Sequence, residues 1–298
     1  MPTRFRRHLI GFAALAATSL AAPGLAQTPA APMFDMTKVA DNVYSFRFVI
    51  HRSMVVLTDD GVIVTDPSSP PAARHMMDEI KKLTDKPVKL VIYSHNHWDH
   101  MAGAKIFKDQ GAKVVQHELA AKDTPPHPDV VPADETFAGE KHVVSLGGKT
   151  IELIYVGPSH GSGMVVMRLP NERILHDSDL VIPGRVAFRG MPDYSPKNWI
   201  LALKKMEQLD FDRIMPSHGP ASAPKSTVTA LREYLESLDK AVADATKKAG
   251  NPWNPSAFDK ITEFVKEDLR PKYGTLGQFD AWMLMNVERV IYEQQIGW

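Results

Sequence analysis

From about residue 38 the chain alternates short apolar runs with Gly, Pro and Asn breaks. "NVYSFRFVI" and "SMVVLTD" place β-branched and aromatic residues at near-alternate positions, separated by the short "HR", and predict a hairpin. "DDG" turns the chain into a third strand, "VIVTDP", ending at Asp66 and Pro67. "PPAARHMMDEIKKLT" then shifts to helical spacing, with prolines at its start where a helix tolerates them. "VKLVIYS" is an unbroken apolar run of strand length, which predicts a central strand. "DHMAGAKIFKDQG" is helical and closed by a glycine, and "AKVVQ" is strand again.

Residues 123–141 are polar and proline-rich, a connection long enough to be a functional loop. A second set of strands follows: "HVVSL", "GGKTIELIYVG", "GMVVMRLP" and "RILHDSDLV". "SPKNWILALKKMEQL" is a helix capped by Ser195, and "FDRIMPSHG" is a short strand running into a glycine turn. "STVTALREYLESLDKAVADATKKAG" and two more helical stretches reach Trp298. Strands followed by helices, twice over, predict an α/β protein with mixed sheets. No break in composition divides it cleanly.

The first 26 residues stand apart. Arg4, Arg6 and Arg7 precede the small-residue apolar stretch "GFAALAATSLAAPGLA", the pattern of an export signal cleaved after Ala26. The stretch is alanine-rich and broken by Pro23 and Gly24, which argues against a retained membrane anchor. Arg6-Arg7 leaves the twin-arginine and general export routes both open. The expectation is a periplasmic or secreted protein, with residues 27–37 a flexible lead-in, 38–250 a catalytic domain and 251–298 a helical extension packed on it.

Charge and cysteine content narrow the chemistry. Lysines plus arginines and aspartates plus glutamates each number 35, so no basic arm or patch points to nucleic acid and no basic amphipathic helix points to a membrane surface. The absence of cysteine excludes disulfides and thiol catalysis, and leaves His, Asp, Glu and water to build any metal site.

Residues 94–100, "SHNHWDH", supply such ligands directly after the buried run. In an extended segment, alternate residues share a side and sit roughly 6.5–7 Å apart, so His95 and His97 can converge on one cation. A turn into the following helix brings Asp99 and His100 to the same pocket. Imidazole and carboxylate without thiolate suit zinc or a similar borderline metal. Four such groups cannot share one tetrahedral ion and leave room for water, so the spacing points to two metals. Later strand ends offer partners: His160 in "YVGPSHGSG", His176, Asp177 and Asp179 in "RILHDSDLV", and His218 in "RIMPSHGP". His75, His117, His127, His142 and His176 are scattered and are expected on the surface or in loops.

The string H-x-H-x-D-H, a histidine in a Gly/Ser loop about 60 residues on, "ILHDSDL" and then "PSHGP", in that order, resembles the metallo-β-lactamase superfamily of metallohydrolases. The resemblance covers residues from about Val39 to about Ala249 and implies an αββα four-layer sandwich: two mixed β-sheets with helices on the outer faces. It implies that His95, His97 and His160 hold one Zn²⁺, that Asp99, His100 and His218 hold a second, and that Asp179 bridges them. The family usually has glycine before that aspartate; here Ser178 stands there, and Asp177 is the alternative bridge. Asp66 is expected to orient the ligand loop. "IHRS" falls at the tip of the first hairpin, so His51 and Arg52 are candidate substrate contacts, as are Phe188, Arg189 and Tyr194 after the bridging aspartate.

Two metals would acidify a shared water to a bridging hydroxide, and Asp99 would hold it and pass a proton to the leaving group. The expected enzyme is a dinuclear zinc hydrolase acting on an exported small-molecule ester, lactone or related bond. The pattern resembles the glyoxalase II, lactonase and related esterase branch, with glyoxalase II itself disfavoured by the export signal and the different C-terminal region. β-Lactam hydrolysis is the alternative. It is disfavoured because the cysteine-ligand subclasses are excluded and the other dinuclear subclass lacks the bridging aspartate. An iron-dependent oxidoreductase of the same fold is a further alternative. The C-terminal aromatic-rich helices could pack on the core, roof the pocket or form a homodimer face.

Overall fold

Thirteen strands and eight helices account for most of residues 32–297, the residues described in this computed structural model. The expected export leader and the expected lead-in up to residue 31 lie outside them. The first sheet runs in chain order: β1 (Phe34–Ala40), β2 (Val43–Phe48), β3 (His51–Leu57), β4 (Val62–Thr65), β5 (Val88–Ile92), β6 (Lys113–His117) and β7 (Glu135–Phe137). Its first four strands pair antiparallel and its last four parallel. The second sheet holds β8 (Lys141–Leu146), β9 (Lys149–Tyr155), β10 (Val165–Leu169), β11 (Ile174–Asp177), β12 (Arg213–Pro216) and β13 (Ala223–Pro224), in the order β13-β12-β11-β10-β9-β8. β11 and β12 are its parallel pair.

The period of two explains why central strands read as unbroken apolar runs: each has two apolar faces to cover. Met54, Val56, Ile63, Ile92 and Val115 of the first sheet meet Leu153, Val165, Met167, Ile174 and Met215 of the second. Their neighbours Val55, Val62, Val64, Val91 and Val114 point the other way. They pack on Met76 and Ile80 of α1 (Pro70–Lys81) and Phe107 of α3 (Ala104–Lys108). On the far side, Ile154, Val166, Leu175 and Ile214 pack under α5 (Pro196–Glu207), α6 (Ser226–Ala249), α7 (Pro255–Tyr273) and α8 (Phe279–Ile296). This is the αββα sandwich. Residues of α7 and α8 such as Ile261, Val265, Met283 and Val287 belong to the same core as α5 and α6, so these helices are part of the domain's outer layer.

Several local expectations change. Residues 34–37, expected in the flexible lead-in, are the first half of β1, paired with β2. The first hairpin turns at Val49 and Ile50, not at "HR"; Val49 takes a positive φ of 54°, and His51 and Arg52 pair with Phe48 and Arg47 inside the ladder. Residues 98–111 form two short helices, α2 (Trp98–Met101) and α3, because Gly103 passes so close to the preceding loop that a Cβ would lie 1.8 Å from Pro67 O. The 123–141 connection follows α4 (Glu118–Asp123) and contains β7. Among the described residues no helix is long and apolar enough to cross a membrane.

Candidate metal centre

The chemistry-bearing residues gather at one edge of the two sheets, at the ends of β4, β5, β9, β11 and β12. After β5 ends at Ile92 the chain bends at His95 and Asn96, is extended again at His97, and then enters α2, which carries Asp99 and His100. His160 sits in the β9–β10 loop, Asp179 just past β11, and His218 just past β12. Two groups result whose ligand atoms lie within 4.8 Å of one another: His95, His97, His160 and Asp179, and His51, His100 and His218.

Asp179 is the hub. Its Oδ2 lies 3.1 Å from His100 Nε2, 3.3 Å from His160 Nε2 and 3.5 Å from His95 Nε2, while Oδ1 lies 2.9 Å from His218 Nε2. The Nε2 atoms of His95, His100 and His160 are buried and have no hydrogen-bond partner. Buried polar atoms are normally satisfied. Three imidazole nitrogens left open around one carboxylate fit a cation as their missing partner. The residues present therefore fit the metal that their chemistry implies.

The opposite nitrogens of His95 and His100 are held, whereas Nδ1 of His160 is also buried without a hydrogen-bond partner. Ser94 Oγ is 2.7 Å from His95 Nδ1, and Ser178 Oγ is 3.1 Å from His100 Nδ1. His218 Nδ1–H donates to Ile50 O at 3.0 Å, and His97 Nε2–H donates to Asp193 Oδ2 at 2.8 Å, which leaves Nδ1 of His97 free. Such outer contacts set each ring's orientation and tautomer. Ser178, standing where the family usually has glycine, thus supports His100. Asp179 itself takes a φ of 70° and is fixed by Ser217 Oγ–H donating to Oδ1 at 3.0 Å and Tyr194 Oη–H donating to its carbonyl at 2.7 Å.

Burial and neighbouring charge act differently on the individual groups. Burial pushes the His95 and His160 imidazoles below their ordinary range, keeping them neutral, the form that offers a lone pair. Burial also opposes charge on His100, but the Asp179 carboxylate outweighs it and raises this imidazole to about 9. Burial alone would raise Asp179; His100, His160 and His218 together hold it well below the usual carboxylate range. For Asp99, burial is likewise outweighed, here by the His51 hydrogen bond and by His100, and its carboxyl falls to about 2.

Among the site residues read from sequence, His95, His97, His100, His160, Asp179 and His218 converge as described. Asp99 stands slightly apart: its side chain is 62 % exposed, with Oδ2 3.2 Å from His51 Nε2 and 3.9 Å from His100 Nε2. His51, a candidate substrate contact, lines the cavity over the centre and also lies in the second histidine group. Asp177 faces away, accepting from Val181 N at 2.7 Å within the β11 loop. Asp66 does orient the ligand loop, its Oδ1 accepting from Ser94 N at 2.8 Å.

Two scattered histidines, expected at the surface or in loops, are buried because each caps backbone. His117 donates to Gly139 O at 3.1 Å and accepts from Leu119 N. His176 donates to Met215 O at 2.9 Å and pairs with Thr65 Oγ1 at 3.0 Å.

A cavity of about 660 Å³ covers the centre, walled by Val49, Ile50, Ile182, Phe188, Pro192 and Tyr194. Arg189, expected as a contact, does not line it; Arg185 does, its guanidinium 4.7 Å above the Trp282 ring of α8. Arg52 also stays out of the cavity, donating from Nε to Gly219 O at 2.7 Å. Asp193, Ser178, Ser217 and Arg185 were not legible as site residues, since their partners lie far away in sequence or depend on loop conformation.

Fold and site together define a metallohydrolase of the αββα class. The model of the metallo-β-lactamase superfamily matches residues 47–218, and the chain belongs to that superfamily. It is a metal-dependent hydrolase. It is 28 % identical over 273 residues to the 2,4-dinitroanisole O-demethylase subunit alpha of Nocardioides sp., covering 90 % of this chain and 82 % of the relative. It is 22 % identical to the linear primary-alkylsulfatase of Pseudomonas sp., covering 80 % of this chain and 54 % of that longer protein. Among solved structures, a metallo-β-lactamase from Pontibacter korlensis shares the fold with a TM-score of 0.61 at 24 % identity, over 68 % of this chain and 99 % of that one. The FIM-1 metallo-β-lactamase of Pseudomonas aeruginosa in its mono-zinc form gives 0.61 at 21 %, over 70 % and 97 %.

Proposed function

We propose that the chain is a dinuclear zinc hydrolase that opens a carboxylic ester, lactone or related bond in a small, largely apolar molecule. Asp179 carries this reading: one oxygen faces His95, His100 and His160 while the other faces His218, so a single carboxylate joins both ligand groups. His95, His97 and His160 would hold one ion through lone pairs, and His100 and His218 the other, with Asp99 or His51 completing it. When bound, the ions supply an acidified water and positive charge facing the oxygen that gains charge during attack.

The chain's own groups supply the rest. Asp99 is ionised at neutral pH, pinned by His51 and open to solvent, so it can hold a water proton and return it to the leaving group. Phe188, Ile182, Val49 and Ile50 give the substrate an apolar, water-poor wall. Arg185 faces the cavity with a cation braced by Trp282, placed for an acidic substituent. An export leader over residues 1–26 would place this action outside the cytoplasm, which fractionation of cells expressing a tagged chain would test.

The test is elemental analysis of purified protein combined with an ester, lactone, β-lactam and sulfate-ester panel. About two zinc per chain and ester or lactone turnover are expected, with turnover abolished and the second metal weakened in Asp99→Ala. One tightly held iron per chain, or full activity of Asp99→Ala, overturns the reading. A second reading, cleavage of an alkyl sulfate or of an activated aryl methyl ether, is favoured by the names of the two relatives that align over most of this chain. Turnover of those substrates with inert carboxylic esters would select it.

A further inference from the structure

The tip of the β2–β3 hairpin borders two cavities. One is the chamber over the metal centre; the other, of about 520 Å³, is bounded by Ser68, Pro70, Trp98, Ala102 and His127. Val49, Ile50, His51 and Asp99 line both. The carboxylate placed to serve the leaving group is therefore also the threshold of the second cavity.

That second cavity is apolar where a soluble surface ordinarily is not. Val49 is 54 % exposed, Ile50 63 % and Trp98 41 %, and all three line it. Single exposed apolar residues are common, but large ones converging at the mouth of a catalytic site mark a binding surface. The wall is preformed: Trp98 Nε1–H donates to Pro125 O at 3.0 Å, and its ring lies 4.7 Å from His127. Trp98 also sits between His97 and Asp99 in sequence, so the segment that carries the metal centre sets the groove's position too.

We propose that this groove binds the alkyl or aryl skeleton of the alcohol released on the Asp99 side of the bond. This rests on the hydrolase reading above. In the step, a water oxygen bonds to the acyl carbon and the carbon–oxygen bond to the alcohol breaks. The proton that Asp99 takes from the water goes to the departing alcohol oxygen, so the products are one acid and one alcohol. The substrate class is then an ester of an apolar alcohol, with the acyl side in the larger chamber near Arg185.

The zinc-reconstituted full chain is assayed on two series: acetates of 1-alkanols from ethanol to hexanol, and ethyl esters of acids from acetic to hexanoic. In the alcohol series kcat/KM rises by up to about fourfold per methylene, the gain expected from burying each one, while the acyl series stays nearly flat. Trp98→Ala and, independently, Ile50→Asp at the exposed hairpin tip reduce the alcohol-series rise to less than about twofold per methylene; Trp98→Phe keeps it. A rise confined to the acyl series, or a rise in the alcohol series untouched by both variants, overturns the assignment. If neither series is turned over, the ester reading fails and the groove is judged separately by equilibrium binding of 1-butanol and 1-hexanol, followed by NMR shifts of the Trp98 indole. Saturable binding, tighter for hexanol and weakened by Ile50→Asp, supports the groove; its absence overturns it.

Discussion

Replacing Asp179 with Asn keeps the side chain's shape and removes its charge, so it isolates what the hub carboxylate does. Asp179 Oδ2 is 3.1 Å from His100 Nε2. Two unit charges at that separation attract by about 5 kcal/mol at an effective dielectric near 20. Burial offsets part of this, and the His100 imidazole ends at about 9 instead of 6.5, a net preference for the charged form of about 3 kcal/mol. Because the folded value is raised, the contribution to stability is fully present below pH 6.5 and disappears as the pH rises through 9.

In Asp179→Asn, burial faces only the weaker pull of Asp66 and Asp99, and the His100 titration is expected to fall by about two pH units or more. Histidine-selective NMR of chelated protein reads this directly. Elemental analysis of the zinc-loaded variant should in parallel give at most one tightly held ion. A His100 that still titrates near 9 in the variant would refute the hub, whatever happened to activity.

Three further outcomes follow from other contacts. Tyr194→Phe removes the Oη–H donated to the Asp179 carbonyl at 2.7 Å; thermal melts should show a loss of about 1–3 kcal/mol, and kcat/KM should fall roughly 10–100-fold. Gly103→Ala would put a Cβ 1.8 Å from Pro67 O and 2.7 Å from Ser69 O, both backbone, so urea unfolding should show at least about 1–3 kcal/mol lost as α2 and its ligands shift. His176 is buried neutral with its pKa lowered to about 4. Metal-free protein should therefore lose roughly 3 kcal/mol of stability as the pH falls from 6.5 to 4, and urea titrations of His176→Asn should show a shallower loss.

Much of the molecule was legible along the chain. Short apolar runs located every central strand, because a strand covered on both faces is apolar at most positions, with exceptions such as Lys89 in β5. Ser195 was readable as a helix cap, and its Oγ does accept from Asn198 N. The crowding of His95, His97, Asp99 and His100 pointed to a candidate metal site, although the two histidines follow β5 in a bent loop and do not alternate along a strand. The order of the later motifs placed His160, Asp179 and His218 as its completion.

What the chain could not disclose was set by loops and by distance. The hairpin turn moved to Val49 and Ile50 because pairing register is settled between strands, and that shift carried His51 into the second ligand group. Asp193 reaches His97 across 96 positions, and Trp282 braces Arg185 from a helix beyond the family-matched region, so neither contact has a local signal. Asp177 and Asp179 differ by two positions in sequence, yet one closes a backbone loop and the other lies between two groups of candidate metal ligands. Ligand identity follows from residue type and strand spacing, which the sequence determines by itself. Which nitrogen stays open, which carboxylate stands among the histidines and which side chains wall the cavity depend on backbone turns and long-range packing, and only the tertiary structure decides those.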